Sequence, residues 1–391
     1  MLPRPAMIEP CPLIDVSGPP LERGRQHGRQ AADRIRRGVA DYSAQLQRSG
    51  FGEAELKEAV AGYLPVIDGF DPHYVTEMRG IAEGAGLPFE QIVLLNARTE
   101  LLQIASRRER DRKRQAGEAI DDDPDGCTGV VVLPEAAAAG RLIHAQNWDW
   151  KAGCADTAIV LRVKRDDGPD YITFTEAGAL GRFGFNTAGI AITANYLECE
   201  RDYSRLGVPL ALIRRKVLEQ TEYALALRAA YTTPKSASNN IIVSHAQGIA
   251  IDFECAPDET FLVHPQDGLL VHANHWQSPV ALSKLRDTGI LSTPDSLYRD
   301  RRVQQLLAPH RGRITNDHVK GALFDRFADP WSVCRPPRKN LSSNLSATVA
   351  MIVMDPAAGT MDVAMLPALN REFTRFTLAT HFSPVETAVP V

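Results

Sequence analysis

The chain has 391 residues, 44% of them apolar and 24% charged, a make-up that allows a full buried core without staples. A net charge of −4 and a pI near 6.2 speak against a nucleic-acid partner. No run approaches the ~18 apolar residues of a membrane span, and Met1 to Val16 carries no apolar h-region, so a cytoplasmic protein without membrane contact is expected.

The first hundred residues read as helices. Gln26 to Leu46 runs without proline, with Ala31, Ile35, Val39 and Leu46 at helical spacing. Glu55 to Ile67 and Pro72 to Glu83 repeat the pattern, and Pro88 opens another helix carrying Ile92, Leu94, Leu95 and Leu101. Arg107 to Asp125 then holds almost nothing apolar, and such a run is expected to stay unstructured as a linker.

From Cys127 onward β-rich runs dominate: Gly129 to Leu133, Arg141 to Trp150, Thr157 to Lys164, Tyr171 to Thr175, Gly189 to Tyr196 and Ile241 to His245, followed by Ile249 to Phe253, Phe261 to His264 and Leu269 to His272. Helices return at Pro209 to Glu219, Tyr223 to Ala230, Ser296 to Leu307 and Asn316 to Phe327. Thr348 to Met354 and Thr360 to Met365 close the chain as strands. Strands with helices gathered in blocks point to an α+β architecture of layered sheets.

Six cysteines, Cys11, Cys127, Cys154, Cys199, Cys255 and Cys334, form no CxxC pair, which favours reduced, mostly buried thiols over disulfides or zinc. No metal and no cofactor are expected, since His272 and His275 have no third clustered ligand.

The most informative tetrapeptide is Asp125-Gly126-Cys127-Thr128, where the polar run meets the first strand. In isolation Gly-Cys reads as an inert buried cysteine. A thiol there could instead attack the preceding carbonyl, where glycine tolerates a bent backbone. Cleavage between Gly126 and Cys127 would leave thiol and α-amino group on one residue. Such an amine titrates near ~7.7–8.0 and a thiol near ~8.5, so the amine can serve as base. Asp149, in Gln146-Asn147-Trp148-Asp149-Trp150, lies 22 residues after Cys127, a spacing at which a hairpin returns to its start. A carboxylate there could hold the α-amino group. Asn274, in His272-Ala273-Asn274-His275, offers a side-chain amide for an oxyanion, and a backbone N–H near Ala194-Asn195-Tyr196 could be a second donor.

These pieces resemble the acyl-coenzyme A:6-aminopenicillanic acid acyltransferase family, a branch of the N-terminal-nucleophile hydrolases. Arg23-Gly24-Arg25-Gln26-His27-Gly28, Glu83-Gly84-Ala85-Gly86-Leu87, Thr175-Glu176-Ala177-Gly178, Gly184-Phe185-Asn186, Gly207-Val208-Pro209 and Ser332-Val333-Cys334-Arg335 add to the likeness. The resemblance implies a four-layer αββα sandwich and self-cleavage before the cysteine. It also implies Cys127 as nucleophile, Asp149 as orienting carboxylate and Asn274 as oxyanion amide. Asn195 matches an asparagine of the related conjugated-bile-acid hydrolases. One departure stands out: an Arg-Gly-Ala-Thr run of the penicillin acyltransferase reads Leu345-Ser346-Ala347-Thr348 here, with Arg335 and Arg338 as candidate substitutes.

The expected function is therefore an autoproteolytic N-terminal-cysteine enzyme that transfers an acyl group from an amide C–N bond through a thioester. Its expected partner is a small amide or N-acyl compound, with acyl-CoA and β-lactams among the options and homo-oligomerisation open. Residues 1–126 and 127–391 would be two polypeptides of one folded unit. Two rivals are a non-self-cleaving hydrolase that pairs Cys127 with His144 or His275, and a non-catalytic binding protein on the same fold.

Overall fold

Apolar residues at helical spacing fill the chain before Gly126, and β-branched runs fill much of the rest. A computed structural model describes residues 8–116, 126–339, 345–380 and 382. The first segment contains β1 (Leu13–Ser17), α1 (Pro20–Gln30), α2 (Ala32–Arg48), α3 (Glu53–Phe70), α4 (Pro72–Ala85), α5 (Phe89–Asn96) and α6 (Arg98–Ala116). Then come β2 (Gly126–Val132), β3 (Ile143–Lys151), β4 (Ala158–Lys164), β5 (Tyr171–Glu176), β6 (Phe183–Asn186) and β7 (Ile190–Tyr196). They are followed by α7 (Leu210–Leu218), α8 (Tyr223–Thr232), β8 (Asn239–His245), β9 (Ile249–Cys255), β10 (Thr260–Val263) and β11 (Leu269–His272). The rest is α9 (Pro279–Lys284), α10 (Ser296–Leu307), α11 (Asn316–Leu323), β12 (Arg338–Lys339), β13 (Leu345–Asp355), β14 (Thr360–Met365) and β15 (Thr374–Thr377).

The strands form an eight-stranded sheet in the order β1-β4-β5-β6-β7-β8-β9-β10 and a seven-stranded sheet, β11-β2-β3-β13-β14-β15, with β12 on β13. The sheets face each other through β2, β3 and β7. Alternation along β2 explains the layering. Val131 packs toward Ile242 and Ala250 of the opposite sheet, whereas Val130 and Val132 pack toward Val303, Leu307 and Val319 of α10 and α11. On the far side, α7 and α8 lie on β6 to β9, and the buried faces of α2 to α6 share one core with β4 and β5. The result is the four-layer αββα sandwich.

Four expectations need correction. The helix opened by Pro88 is two: α5 ends at Asn96 and α6 begins at Arg98, so Leu101 lies on α6. Gln26 to Leu46 is not one helix: α1 ends at Gln30 and α2 begins at Ala32, with a break at Ala31, where φ is −113°. The strands β1, β6 and β15 were not expected; β1 is an edge strand parallel to β4, and β6 and β15 have only four residues each. Arg107 to Ala116 is helical, as the second half of α6, rather than unstructured. Its polarity suits an anchored helix. Arg107 lies over Tyr203 and donates to Asp202 O, Arg108 lies over Phe51, and Lys113 and Arg114 pair with Glu109 and Asp111 one turn back. The remainder of the expected linker, 117–125, lies outside the described residues.

The glycine-bearing motifs near the start have a packing reason. A Cβ at Gly24 would stand 2.1 Å from Glu77 O, and one at Gly80 2.2 Å from Leu21 O. Gly28 and Gly84 repeat the arrangement one turn on, so α1 and α4 touch backbone to backbone. Overpacking of this kind costs about 1–3 kcal/mol, and more where the obstacle is backbone. Gly80→Ala should therefore lower the unfolding free energy by that margin, read as a lower denaturant midpoint; an unchanged unfolding curve would contradict the helix contact.

Candidate active site

The β2–β3 hairpin sets the frame. Its register pairs Gly126 with Asp149 and Cys127 with Trp148. Paired residues share a face of the sheet. Cys127 and Trp148 therefore point between the sheets, where Trp148 meets Phe174 edge-on. Gly126 and Asp149 point to the α10 side. The peptide nitrogen of Cys127 lies at the boundary between the two faces.

Gly126 is needed for space. A Cβ there would stand 2.6 Å from Asp149 Oδ2 and 2.8 Å from Arg335 Cζ. Asp149 is buried; its Oδ1 accepts from Thr348 Oγ1 at 2.6 Å. Oδ2 takes no hydrogen bond and lies 3.4 Å from Arg335 Nε. Arg335 in turn is paired with Asp295. Of the two candidate substitutes for the arginine absent at Leu345, Arg335 is thus the one beside Asp149; Arg338 stacks on Trp331.

Asn274 is brought in by β11, which pairs with β2 so that His272 faces Gly129. Its Oδ1 accepts from the Cys127 backbone N–H at 2.7 Å and from Arg299 Nη2 at 2.9 Å, while Nδ2 donates to Tyr196 O at 2.9 Å. With two donors on one side and a carbonyl on the other, the orientation of this amide is fixed. In the intact chain Asn274 is therefore an acceptor for Cys127. One Nδ2 proton is committed to Tyr196.

Asn195 braces this segment. Its Nδ2 donates to the carbonyls of His272 and Ala273, at 3.0 and 2.9 Å, and its Oδ1 accepts from Gln146 at 2.6 Å. Of the backbone N–H groups near Ala194-Asn195-Tyr196 considered from sequence as oxyanion donors, that of Asn195 is already bonded to Asn240 Oδ1. Behind it His272 bonds Glu254 at 2.7 Å, with Asp252 3.8 Å away, and these carboxylates raise the buried imidazole to about 9.

Nothing in the sequence pointed to Arg299. Fully buried on α10, its Nη1 donates to Cys127 O at 2.6 Å and Thr128 Oγ1 at 3.0 Å, and its Nε to Asp295 at 2.8 Å. One guanidinium thus clamps the cysteine carbonyl and the asparagine that holds the cysteine nitrogen. Arg182 was missed as well; its guanidinium lies 4.1 Å over the Trp148 ring. Burial, and then the charge of Asp149, push the Cys127 thiol up to about 11 in the uncut chain.

The histidines of the Cys-His alternative are engaged elsewhere. His144 bonds Ser244 Oγ at 2.8 Å and Thr193 Oγ1 at 2.7 Å, and His275 bonds Ser296 Oγ at 2.8 Å. Burial lowers both to about 3. Cys154 lies against the Tyr42 hydroxyl at 3.5 Å, a packed position. Among the described residues no helix is long and apolar enough to cross a membrane, no three His, Cys, Asp or Glu side chains could share a metal, and all six cysteines are free.

The sequence profile of the family described as acyl-coenzyme A:6-aminopenicillanic acid acyl-transferase matches residues 137–366. The chain belongs to this family. The matched stretch contains Asp149, Asn195 and Asn274 and begins ten residues after Cys127. The acyl-coenzyme A:6-aminopenicillanic-acid-acyltransferase 40 kDa form of Emericella nidulans is 28% identical over 88% of this chain and 89% of its own length. Among solved structures, a mutant conjugated bile acid hydrolase from Clostridium perfringens aligns with a TM-score of 0.47 at 12% identity, over 64% of this chain and 92% of its own. Penicillin V acylase from Agrobacterium tumefaciens aligns at 0.43 and 15%, over 64% and 86%. Family membership makes the chain an enzyme of acyl transfer at amide bonds.

The Arg299 clamp can be tested apart from any chemistry. Arg299→Met would leave the Cys127 carbonyl and Asp295 short of a buried partner, a loss of about 3 kcal/mol. Urea unfolding should register it; a variant as stable as the parent would contradict the clamp.

Proposed function

We propose that the chain cuts itself between Gly126 and Cys127 and then uses the freed Cys127 to move acyl groups from amides. The observation that carries this reading is the setting of the Cys127 nitrogen. It is held by Asn274 Oδ1, and the residue it would lose, Gly126, fills the space beside the Asp149 carboxylate.

In the first step the Cys127 thiol loses its proton and attacks the Gly126 carbonyl carbon. The peptide C–N bond breaks, the Cys127 nitrogen takes a proton, and a thioester joins Gly126 to Cys127. Water opens it, giving a Gly126 carboxylate and a free thiol. A thiol held up near 11 makes this step slow, but it occurs once per molecule. Departure of Gly126 exposes Asp149 Oδ2 to the new amino terminus, which keeps Asn274 as acceptor. Residues 1–126 stay bound, because α2 to α6 share the core with the sheet they cover.

In turnover the neutral α-amino group takes the thiol proton, Cys127 attacks a substrate carbonyl, and the second Nδ2 proton of Asn274 meets the oxyanion. The amine passes the proton to the departing nitrogen. The acyl thioester is released to water or to another nucleophile. The Emericella nidulans relative, named for transfer from acyl-CoA to 6-aminopenicillanic acid, makes acyl-CoA and β-lactam compounds the first substrates to try.

Intact mass should reveal two chains, the larger beginning at Cys127, and Cys127→Ala should give one. Cleavage that persists in Cys127→Ala would overturn the scheme. Because the working base is an α-amine titrating near ~7.7–8.0, kcat/KM on an amide should be lost as pH falls below about 7. A profile flat from about pH 6 to about pH 9 would exclude that base.

A further inference from the structure

Beside the nucleophile lies a group of buried charges that the reaction above does not use. Glu176, on β5, accepts Arg98 Nε at 2.7 Å, Arg182 Nη1 at 3.0 Å and the Tyr42 hydroxyl at 2.5 Å. One carboxylate therefore already serves two guanidiniums. A third arginine, Arg214 on α7, is 7% exposed and reaches the same place: its Cζ lies 5.9 Å from the Phe183 ring centroid, and that of Arg182 5.3 Å from the same centroid. No hydrogen bond or ion pair of the described residues reaches the Arg214 guanidinium, and its Nε is enclosed without a partner, as is Nε of Arg182. The Cys127 thiol is among the groups whose charge acts on both arginines. The remaining carboxylate, Glu100, accepts the Leu210 N–H at 2.8 Å, and burial favours its neutral form.

A guanidinium cannot shed its charge at neutral pH, and burying one without an anion is costly. Burial, and then the neighbouring Arg182 charge, push Arg214 down to about 9, although Glu100 acts in the other direction. We propose that Arg214, with Arg182 beside it, forms a carboxylate-binding subsite next to Cys127, so that the amide processed here carries an anionic group. This rests on Cys127 being the amide nucleophile and adds the substrate class. A planar carboxylate offers two acceptor oxygens to two forked donors. Its charge would add to those of Glu176 and Glu100, the two carboxylates that share three arginines.

The test is a set of N-acyl amides in matched pairs, carboxylate against carboxamide, with the group on the acyl part in one series and on the amine part in the other. Wild-type kcat/KM should favour the carboxylate by about 10- to 100-fold in one series, which also locates the group. In Arg214→Gln that ratio should collapse toward unity, and in Arg214→Lys it should lie between. A loss of packing alone would slow both members of a pair alike and leave the ratio intact, which would overturn the proposal. Equal wild-type rates within every pair would overturn it while leaving the amide chemistry standing. Failure of the wild type on every amide would sink the reading of Cys127 and this inference with it. Should Arg214→Gln not fold, competition on the wild type decides: short carboxylates must inhibit where their amides do not.

Discussion

The site depends on a hydrogen bond that spans 147 residues of sequence, from the Cys127 peptide N–H to Asn274 Oδ1. It fixes the nitrogen that, on this account, changes from amide to amine when the chain is cut. Arg299 binds the Cys127 carbonyl and the same Asn274 oxygen, so nitrogen, carbonyl and acceptor form one rigid set. Asn195 and the His272–Glu254 pair hold that set from behind. A buried polar network of this kind is worth keeping only when its members are satisfied, and most of them are.

In the intact chain ordinary electrostatics disfavour the Cys127 thiolate, the nucleophile of the proposed scheme. The thiol is enclosed, feels the charge of Asp149 on the next sheet position and has no amine on its own residue. The proposed cut would create the amine and free Gly126 to leave the space beside Asp149 Oδ2. On the proposed scheme, the peptide bond that joins the segments would therefore also hold the site inactive.

Much of this was legible because hairpins are local. The 22-residue spacing of Cys127 and Asp149 brought the carboxylate to the cut, and the observed register pairs Asp149 with Gly126 itself. Asn274 was found through its motif, although its role in the intact chain, accepting from Cys127, could not be read without knowing what faced its oxygen. The helices α3, α4 and α10 and the central strands were read within a few residues; β6, a four-residue strand containing Gly184, fell below any periodic signal. Arg299, Arg214 and Arg182 were invisible because an arginine on a polar helix or strand end reads as a surface residue, and only tertiary packing buries it. The charged half of α6 was misread for a related reason: its order comes from Tyr203, Phe51 and Asp202, which lie far off in sequence.

The most direct measurement is to trap the acyl intermediate on the wild-type enzyme with a slowly released amide or activated ester, then map the modified peptide while labelling free amines. The account predicts the acyl mass on the thiol of a peptide that begins at Cys127, with its α-amino group free to take the label. Acyl groups found on another residue, or on a Cys127 still joined to Gly126, would contradict it.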